Sequence, residues 1–223
     1  MDALKKLQTI EEAFGAAVGV VLAEQLAPLM KQWLLISGSP AVFSVILVTI
    51  SILFVRFLTG SLFERSKTVR KILLGKDYIE GTWFDIMWEK GKVKEIGVSS
   101  LEYADFQIKY SGEDYDLAVT QRLPFMAEMA QLKKDGLLMY KYTARRSDTD
   151  RVGIPGYGEL QFHSGRSGMP TRYTGEYFLL NENTKCSFEG FKLDEKKDRE
   201  LLELLDSGET RKEALRKLKE KYS

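Results

Sequence analysis

The sequence predicts a membrane-anchored all-β protein, in which an N-terminal two-helix transmembrane hairpin precedes an eight-stranded antiparallel β-barrel and short C-terminal helices. Charge is almost absent from residues 13–60, where Glu24, Lys31 and Arg56 are the only ionisable side chains. From Tyr78 onward, apolar and polar residues alternate with the period of two that is typical of strands. Near the C terminus, two short stretches have instead the leucine spacing of amphipathic helices.

These patterns divide the chain of 223 residues into four regions. Two transmembrane helices are followed by a linker, then by the barrel, and finally by amphipathic helices. The predicted boundaries are 1–66 for the transmembrane helices, 67–77 for the linker, 78–192 for the barrel and 193–223 for the C-terminal helices.

The two apolar runs predict helices near 11–34 and 41–63, joined by a turn at 37–40. A helix needs roughly 20 apolar residues to span a bilayer, and the second run meets this length more easily than the first. A cleaved signal peptide is the alternative. It is disfavoured because residues 1–12 are mixed in charge and because two apolar runs follow one another.

Basic residues flank the predicted hairpin on one side of the membrane. They are Lys5, Lys6, Arg65, Lys67, Arg70 and Lys71. The positive-inside rule therefore places both termini and the barrel in the cytoplasm. The single cysteine, Cys186, agrees with a reducing compartment.

Small residues recur every four positions in the first predicted helix, at Gly15, Gly19 and Ala23. This spacing allows close approach of two helices. The face packs either on the second helix of the same chain or on other copies of the protein. Glu24 lies on or beside it, and is either a functional or paired acid or an acid near the membrane interface.

The alternating segments predict eight or nine antiparallel strands with no helix between them. A meander of this kind removes its exposed edges by closing into a barrel. After the strand that begins near residue 80, we expect strands near 93–100, 103–111, 115–122, 126–133, 137–146, 157–163, 171–180 and 184–192. The alternative is that the first two of these form one bent strand. Turns are predicted at 90–91, 111–114, 135–136, 147–156 and 181–183.

Gly81-Thr82-Trp83 starts the strand region as Gly-x-Trp starts a lipocalin-type barrel. The alternative is a tryptophan that plugs one end of a filled core. At the other end of the region, Asp194 is a candidate helix cap, and Thr210 with Glu213 has capping-box spacing. The two C-terminal helices either cover the barrel or extend from it as a charged tail.

The sequence contains few signs of catalysis. One histidine and one cysteine cannot form a usual zinc site, and neither a phosphate-binding Gly-Lys-Ser/Thr loop nor His-Glu-x-x-His is present. We therefore predict neither an enzyme nor a bound metal or cofactor. The formal net charge of +1 does not favour a DNA or RNA polymer as partner.

Tyrosines within the strands and arginines at strand ends favour a small anionic ligand that contains a base. Arginine pairs with phosphate and aromatic rings stack on bases. Ordinary decoration of a barrel surface accounts for the same residue types. The residues concerned are Tyr140, Tyr142, Tyr157, Tyr173, Tyr177, Arg122, Arg145, Arg146, Arg151, Arg166 and Arg172.

The order of these parts, together with the segments "EGTWFD", "TGEYFLL" and "FEGFKLDE", resembles one family over about residues 10–192. The family that it resembles consists of the two-transmembrane β-barrel effectors of bacterial cyclic-oligonucleotide anti-phage signalling (CBASS). The resemblance implies that a phage-activated nucleotidyltransferase makes a cyclic dinucleotide, which the barrel binds as a receptor. Binding would then drive homo-oligomerisation in the bilayer, disruption of the inner membrane and abortive infection. The C-terminal helices have no match in this pattern.

The predicted strands supply the candidate ligand residues. Phosphate partners are Arg145, Arg146, Arg166 and Arg172, pocket-wall groups are Trp83, Tyr142 and Tyr173, Thr82 is a polar contact, and Gly15, Gly19 and Ala23 form the oligomerisation face. Two other functions are open: a lipocalin-like carrier of a lipid or other small ligand, and a structural barrel that docks partners. Convergent arginines would favour a nucleotide receptor. An apolar cavity would favour a carrier, and a filled barrel would favour a docking module.

Overall fold

The computed structural model describes residues 17, 20, 40–89, 92–104, 107–145, 153–180, 184–207 and 210–222. The chain divides into two compact units, residues 1–74 and 75–223. The predicted helix near 11–34 lies outside the described residues except at Ala17 and Val20, which are helical, and so do Gly15, Gly19 and Ala23.

The first unit contains helix α1 (Pro40–Arg65) and helix α2 (Lys67–Leu74). Helix α1 agrees with the predicted helix near 41–63, whereas α2 forms where a linker was expected. Large apolar side chains of α1 are exposed, among them those of Ile50, Leu53 and Phe57. None of the helices in the described residues combines the length and the apolar character needed to cross a membrane.

The second unit is built on a closed barrel of eight antiparallel strands, as predicted. Each strand pairs with the next in sequence, and the first pairs with the last to close the sheet. The strands are β1 (Gly81–Glu89), β2 (Lys92–Ala104), β3 (Gln107–Asp116), β4 (Gln121–Leu132), β5 (Leu137–Ala144), β6 (Ile154–Ser164), β7 (Pro170–Leu179) and β8 (Thr184–Lys192).

The predicted turn at 111–114 is wrong, because this polar, glycine-containing segment runs through the middle of β3. Gly112 is needed there for space: a Cβ atom would lie 2.7 Å from the ring of Phe125. The chain turns instead at 117–120, where Val119 has φ 62° and no glycine or asparagine marks the turn. The turn at Gly136, with φ 72°, is confirmed.

The interior is filled by aromatic rings that lie over glycines of neighbouring strands. Cβ atoms at Gly156 and Gly158 would lie 2.4 Å from atoms of Tyr142 and Tyr140, respectively. Along each strand successive residues face opposite sides of the sheet, so these rings share one side and point into the barrel. Large and small residues thus alternate between strands, which fills a narrow barrel without crowding.

Helices α3 (Arg199–Asp206) and α4 (Arg211–Tyr222) cover the outer side of β1 and β2. Leu205, Leu215 and Leu218 are buried against Phe84 and Ile86 of β1. This confirms the covering role and explains why both sides of β1 carry apolar and aromatic residues.

The predicted caps of these helices differ in detail. The carboxylate of Asp194 accepts hydrogen bonds from the amides of Lys196 and Lys197, in the turn that precedes α3. The hydroxyl of Thr210 donates to the carbonyl of Leu204 at the end of α3.

Candidate functional site

The end of the barrel that contains Trp83 is closed by side chains. Trp83 is fully buried, and its indole N–H donates to the carbonyl of Ile79 at 3.1 Å. The rings of Phe162 and Tyr173 pack against it with centroid distances of 5.3 and 5.0 Å. This is the filled end that was the alternative interpretation of the Gly-x-Trp motif.

A cavity of about 30 Å³ lies further along the barrel, towards the end of β1 that carries Met87. It has room for one or two water molecules. Among the described residues, six aromatic and three acidic side chains line it, and none of these lining residues is basic. They are Tyr110, Phe125, Tyr140, Tyr142, Tyr177 and Phe188, with Asp85, Glu95 and Asp114.

Asp85 is the central acid of this cavity. Its Oδ1 atom accepts a hydrogen bond from the hydroxyl of Tyr173, which lies 3.4 Å from the hydroxyl of Ser99. Burial raises the pKa of Asp85 to about 6, although hydrogen bonds from Tyr173 and Ser99 act in the opposite direction. At neutral pH the carboxyl is therefore mainly ionised, yet it takes up a proton in mild acid.

Asp114 faces the same space from β3. A Cβ atom at Gly97 would lie 2.7 Å from its Oδ1 atom, so glycine at that position leaves room for the carboxyl group. Burial raises the pKa of Asp114 well above its usual range, and the charges of Asp85 and Glu95 raise it further. Burial therefore favours protonation of this carboxyl, and a protonated carboxyl both donates and accepts hydrogen bonds.

The hydroxyl group of Tyr110 is buried beside these acids without a hydrogen-bond partner among the described residues. The hydroxyls of Tyr173 and Ser99 lie close enough to affect its pKa, but not in the geometry of a hydrogen bond. A buried polar group left unpaired costs about 1–3 kcal/mol. The cavity therefore offers a hydrogen bond to any polar group that enters it.

The three predicted arginines that the structure describes, Arg145, Arg166 and Arg172, are not brought together in one site. Arg145 follows β5 and Arg166 follows β6, so they lie at opposite ends of the antiparallel strand β6. Arg172 points outward, because its neighbour Tyr173 points inward, and it pairs with Glu189 at 2.6 Å. Arg146 lies outside the described residues.

The predicted pocket-wall residues are only partly brought together. Tyr142 lines the cavity, Tyr173 reaches it through Asp85, and Trp83 belongs to the closed end. Thr82 is half-buried at the start of β1, where its carbonyl accepts from the amide of Leu193 at 2.9 Å.

A wider groove of about 430 Å³ lies outside the barrel, across strands β5 to β8 and the end of β1. Glu159, Glu176 and Glu189 line it. Glu176 forms an ion pair with Lys185, and Glu189 forms one with Arg172. An acidic groove of this kind is unsuited to a phosphate group.

Sequence reasoning missed Asp85, Asp114 and Tyr110 as site residues. Asp85 shares its side of β1 with Trp83 and Met87, which was a usable signal for an inward position. Asp114 was hidden by its assignment to a turn. The chain matches none of the known protein-family profiles, and no curated protein matches it.

Proposed function

We propose that this protein is a membrane-associated receptor whose barrel binds a cyclic dinucleotide, acting as the effector of a bacterial anti-phage signalling system. The observation that carries the proposal is the polar cavity inside a closed barrel. Buried acids and an unpaired hydroxyl lower the stability of a fold. Groups of this kind are concentrated at binding sites, where function favours them. The resemblance in domain order supports a cyclic dinucleotide as the ligand class.

Charge decides how such a ligand is oriented. Asp85 and Glu95 repel phosphates, so the phosphates stay outside the cavity and a base edge approaches Asp85, Asp114 and Tyr110. The N–H groups of a base donate to the carboxylate, and its carbonyl or ring nitrogen accepts from the protonated acid. Arg145, exposed where β5 ends, remains a candidate phosphate partner.

A nucleobase can enter the cavity only if a lining side chain moves. About 30 Å³ holds water but not a nucleobase. Tyr177 is the best candidate, because it is partly exposed and its hydroxyl contacts the sulfur of Met87 at 3.7 Å, which is a weak hydrogen bond. Rotation of this ring widens the cavity without loss of a backbone contact.

On the membrane side, the proposal is supported by the low charge of residues 13–60 and by the exposed apolar side chains of α1. Ligand binding shifts the monomer–oligomer equilibrium only by its difference in affinity for the two states. Confinement to a membrane raises the effective concentration of partners, so a modest difference suffices. The predicted oligomerisation face is still that of Gly15, Gly19 and Ala23. Disruption of the inner membrane is the expected result of oligomerisation.

Calorimetry of the full chain with cyclic dinucleotides of uracil, adenine and guanine tests the proposal. At least one ligand is expected to bind, and Asp114→Leu is expected to weaken it about tenfold, the value of one lost hydrogen bond. Asp114→Asn keeps a neutral donor and acceptor and is expected to retain binding. Glu159→Gln, an exposed change outside the barrel, is the control. Absence of binding for the whole panel would contradict the proposal.

A second candidate, a structural barrel that docks protein partners, is favoured by the small volume of the cavity. It predicts that no cyclic dinucleotide binds and that replacing the buried acids with apolar residues stabilises the protein. The apolar carrier is the least favoured of the three functions, because three acids line the cavity.

A further inference from the structure

Helix α2 has an apolar side that the protein leaves uncovered. Val69, Ile72 and Leu73 follow the i, i+3, i+4 spacing that places side chains on one side of a helix. The side chain of Ile72 is 75% exposed and that of Leu73 is 40% exposed. Adjacent exposed apolar side chains of this size indicate a binding surface.

Exposed basic residues lie on another side of the helix. Lys67 and Lys71 are exposed one turn apart on the side away from Ile72, and Arg65 is exposed at the end of α1. The sequence of α2, KTVRKILL, contains no acidic residue, and Glu64 is the nearest one before it. The helix therefore combines an apolar side with a positive side.

Arg70 is the basic residue of α2 that serves the fold. Its Nη1 atom donates to the carbonyls of Phe63 and Glu64, at 2.8 and 2.6 Å, in the last turn of α1. Carbonyl groups in the last turn of a helix commonly bond to side chains, and here Arg70 caps α1 and attaches α2 to it. The hydroxyl of Ser66 accepts from the amide of Val69 at 3.4 Å and supports the start of α2.

We propose that α2 lies in the headgroup region of an anionic membrane, with its apolar side in the acyl boundary and Lys67 and Lys71 on lipid phosphates. This inference rests on the membrane association proposed above. Short amphipathic helices with lysine on the polar side bind membrane surfaces in this way. Lipid is the occupant favoured over a protein, because the positive charge is complementary to anionic headgroups and because apolar side chains are also exposed on the preceding turns of α1, at Phe57, Leu58 and Leu62.

The test places a fluorophore on α2 of the full chain. The native thiol is removed by Cys186→Ser, and Ile72→Cys carries a bimane label. The protein is reconstituted in vesicles of phosphatidylcholine alone or of equal parts phosphatidylcholine and phosphatidylglycerol. Quenching by brominated acyl chains reports contact with lipid, and quenching by iodide reports contact with water.

We expect the label at position 72 to be quenched by brominated lipid and shielded from iodide, more strongly when phosphatidylglycerol is present. Each basic residue near an anionic surface is worth roughly fivefold in binding. Lys67→Glu with Lys71→Glu is therefore expected to lower the ratio of docked to undocked helix at least roughly 25-fold. Lys133→Glu with Lys212→Glu makes the same change in net charge elsewhere and is expected to leave the ratio unchanged.

A label at Ser167, in the exposed turn between β6 and β7, serves as the water-accessible reference. An iodide-accessible label at position 72 in both vesicles would overturn the inference. Shielding from iodide without quenching by brominated lipid would assign the surface to a protein partner. Equal quenching in both vesicles and in the glutamate variant would exclude recognition of anionic headgroups. If the full chain associates with neither vesicle, the proposed membrane location itself fails.

Discussion

The hydroxyl of Tyr173, on β7, donates a hydrogen bond to the carboxyl group of Asp85, on β1, across the inside of the barrel. Both side chains are buried, and the two residues are 88 positions apart in the sequence. This bond connects the closed end of the barrel, where Tyr173 packs on Trp83, with the polar cavity, which Asp85 lines. Changes on either side of it are therefore expected to affect the other.

Tyr173→Phe removes the donor and leaves the acceptor buried. We expect the free energy of unfolding to fall by about 1–3 kcal/mol, the cost of an unsatisfied buried group. Urea unfolding followed by far-ultraviolet circular dichroism measures the change. Tyr157→Phe, at an exposed ring stacked on Phe178, is the matched control. Equal stabilities of the Tyr173→Phe variant and the wild type would contradict a stabilising role for this bond.

The pH dependence of stability follows from Asp85. Its pKa rises from 3.8 to about 6 on folding, so the folded protein holds the proton more tightly than the unfolded chain. The contribution is fully present below pH ~4 and is lost as pH rises through ~6, with a total of about 3 kcal/mol. Unfolding is measured in steps from pH 4 to pH 8 for the wild type and for Asp85→Asn. The wild type is expected to lose stability relative to the variant across this window, whereas parallel profiles would refute the assignment.

Gly190→Ala tests the close packing around Tyr173. A Cβ atom at this position would lie 2.1 Å from the tyrosine ring, so the ring or the backbone must shift. We expect a loss of about 1–3 kcal/mol from overpacking, measured by thermal unfolding. Ser187→Ala, at an exposed position on the same strand, is expected to be neutral. A fully stable Gly190→Ala variant would show that the interior adapts more readily than its geometry indicates.

Leu215→Ala tests whether α4 is part of the folded core. Leu215 is fully buried in the cluster that covers β1 and β2, so its truncation is expected to cost about 2–5 kcal/mol. Chemical denaturation of the full chain measures the loss, with Lys212→Ala on the exposed side of the helix as control. A change below about 0.5 kcal/mol, which is usual for surface positions, would mean that α4 contributes little to stability.

The leucine spacing near the C terminus predicted two helices but left open whether they cover the barrel. The alternation of residue types was sufficient to predict the closed barrel and the order of its strands. It failed at β3, because Gly112 and Asp114 are typical of turns and the actual turn at Val119 has no marker in the sequence. In a sequence, an aspartate that is buried in a strand cannot be distinguished from an aspartate in a turn. Only the pairing of β3 with β2 and β4 separates the two interpretations.

The candidate site was predicted less well, for a related reason. Consecutive turns of an antiparallel meander lie at alternate ends of the barrel, so Arg145 and Arg166 cannot converge. That separation was implied by the predicted strand order. The inward position of Asp85 was also implied, but charged residues are rarely buried, and sequence alone does not show which inward acids are tolerated.

The two C-terminal helices cover one part of the outer barrel surface and leave another part exposed. Strands β1 and β2 are occupied by α3 and α4, whereas Met126, Met129 and Met139 of β4 and β5 remain open to solvent. Within the second unit, a neighbouring molecule that touches the sheet from outside therefore meets flexible thioether side chains rather than the leucine-packed flank. The outer sides of β1 and β2 are unavailable to such a neighbour, because α3 and α4 already cover them.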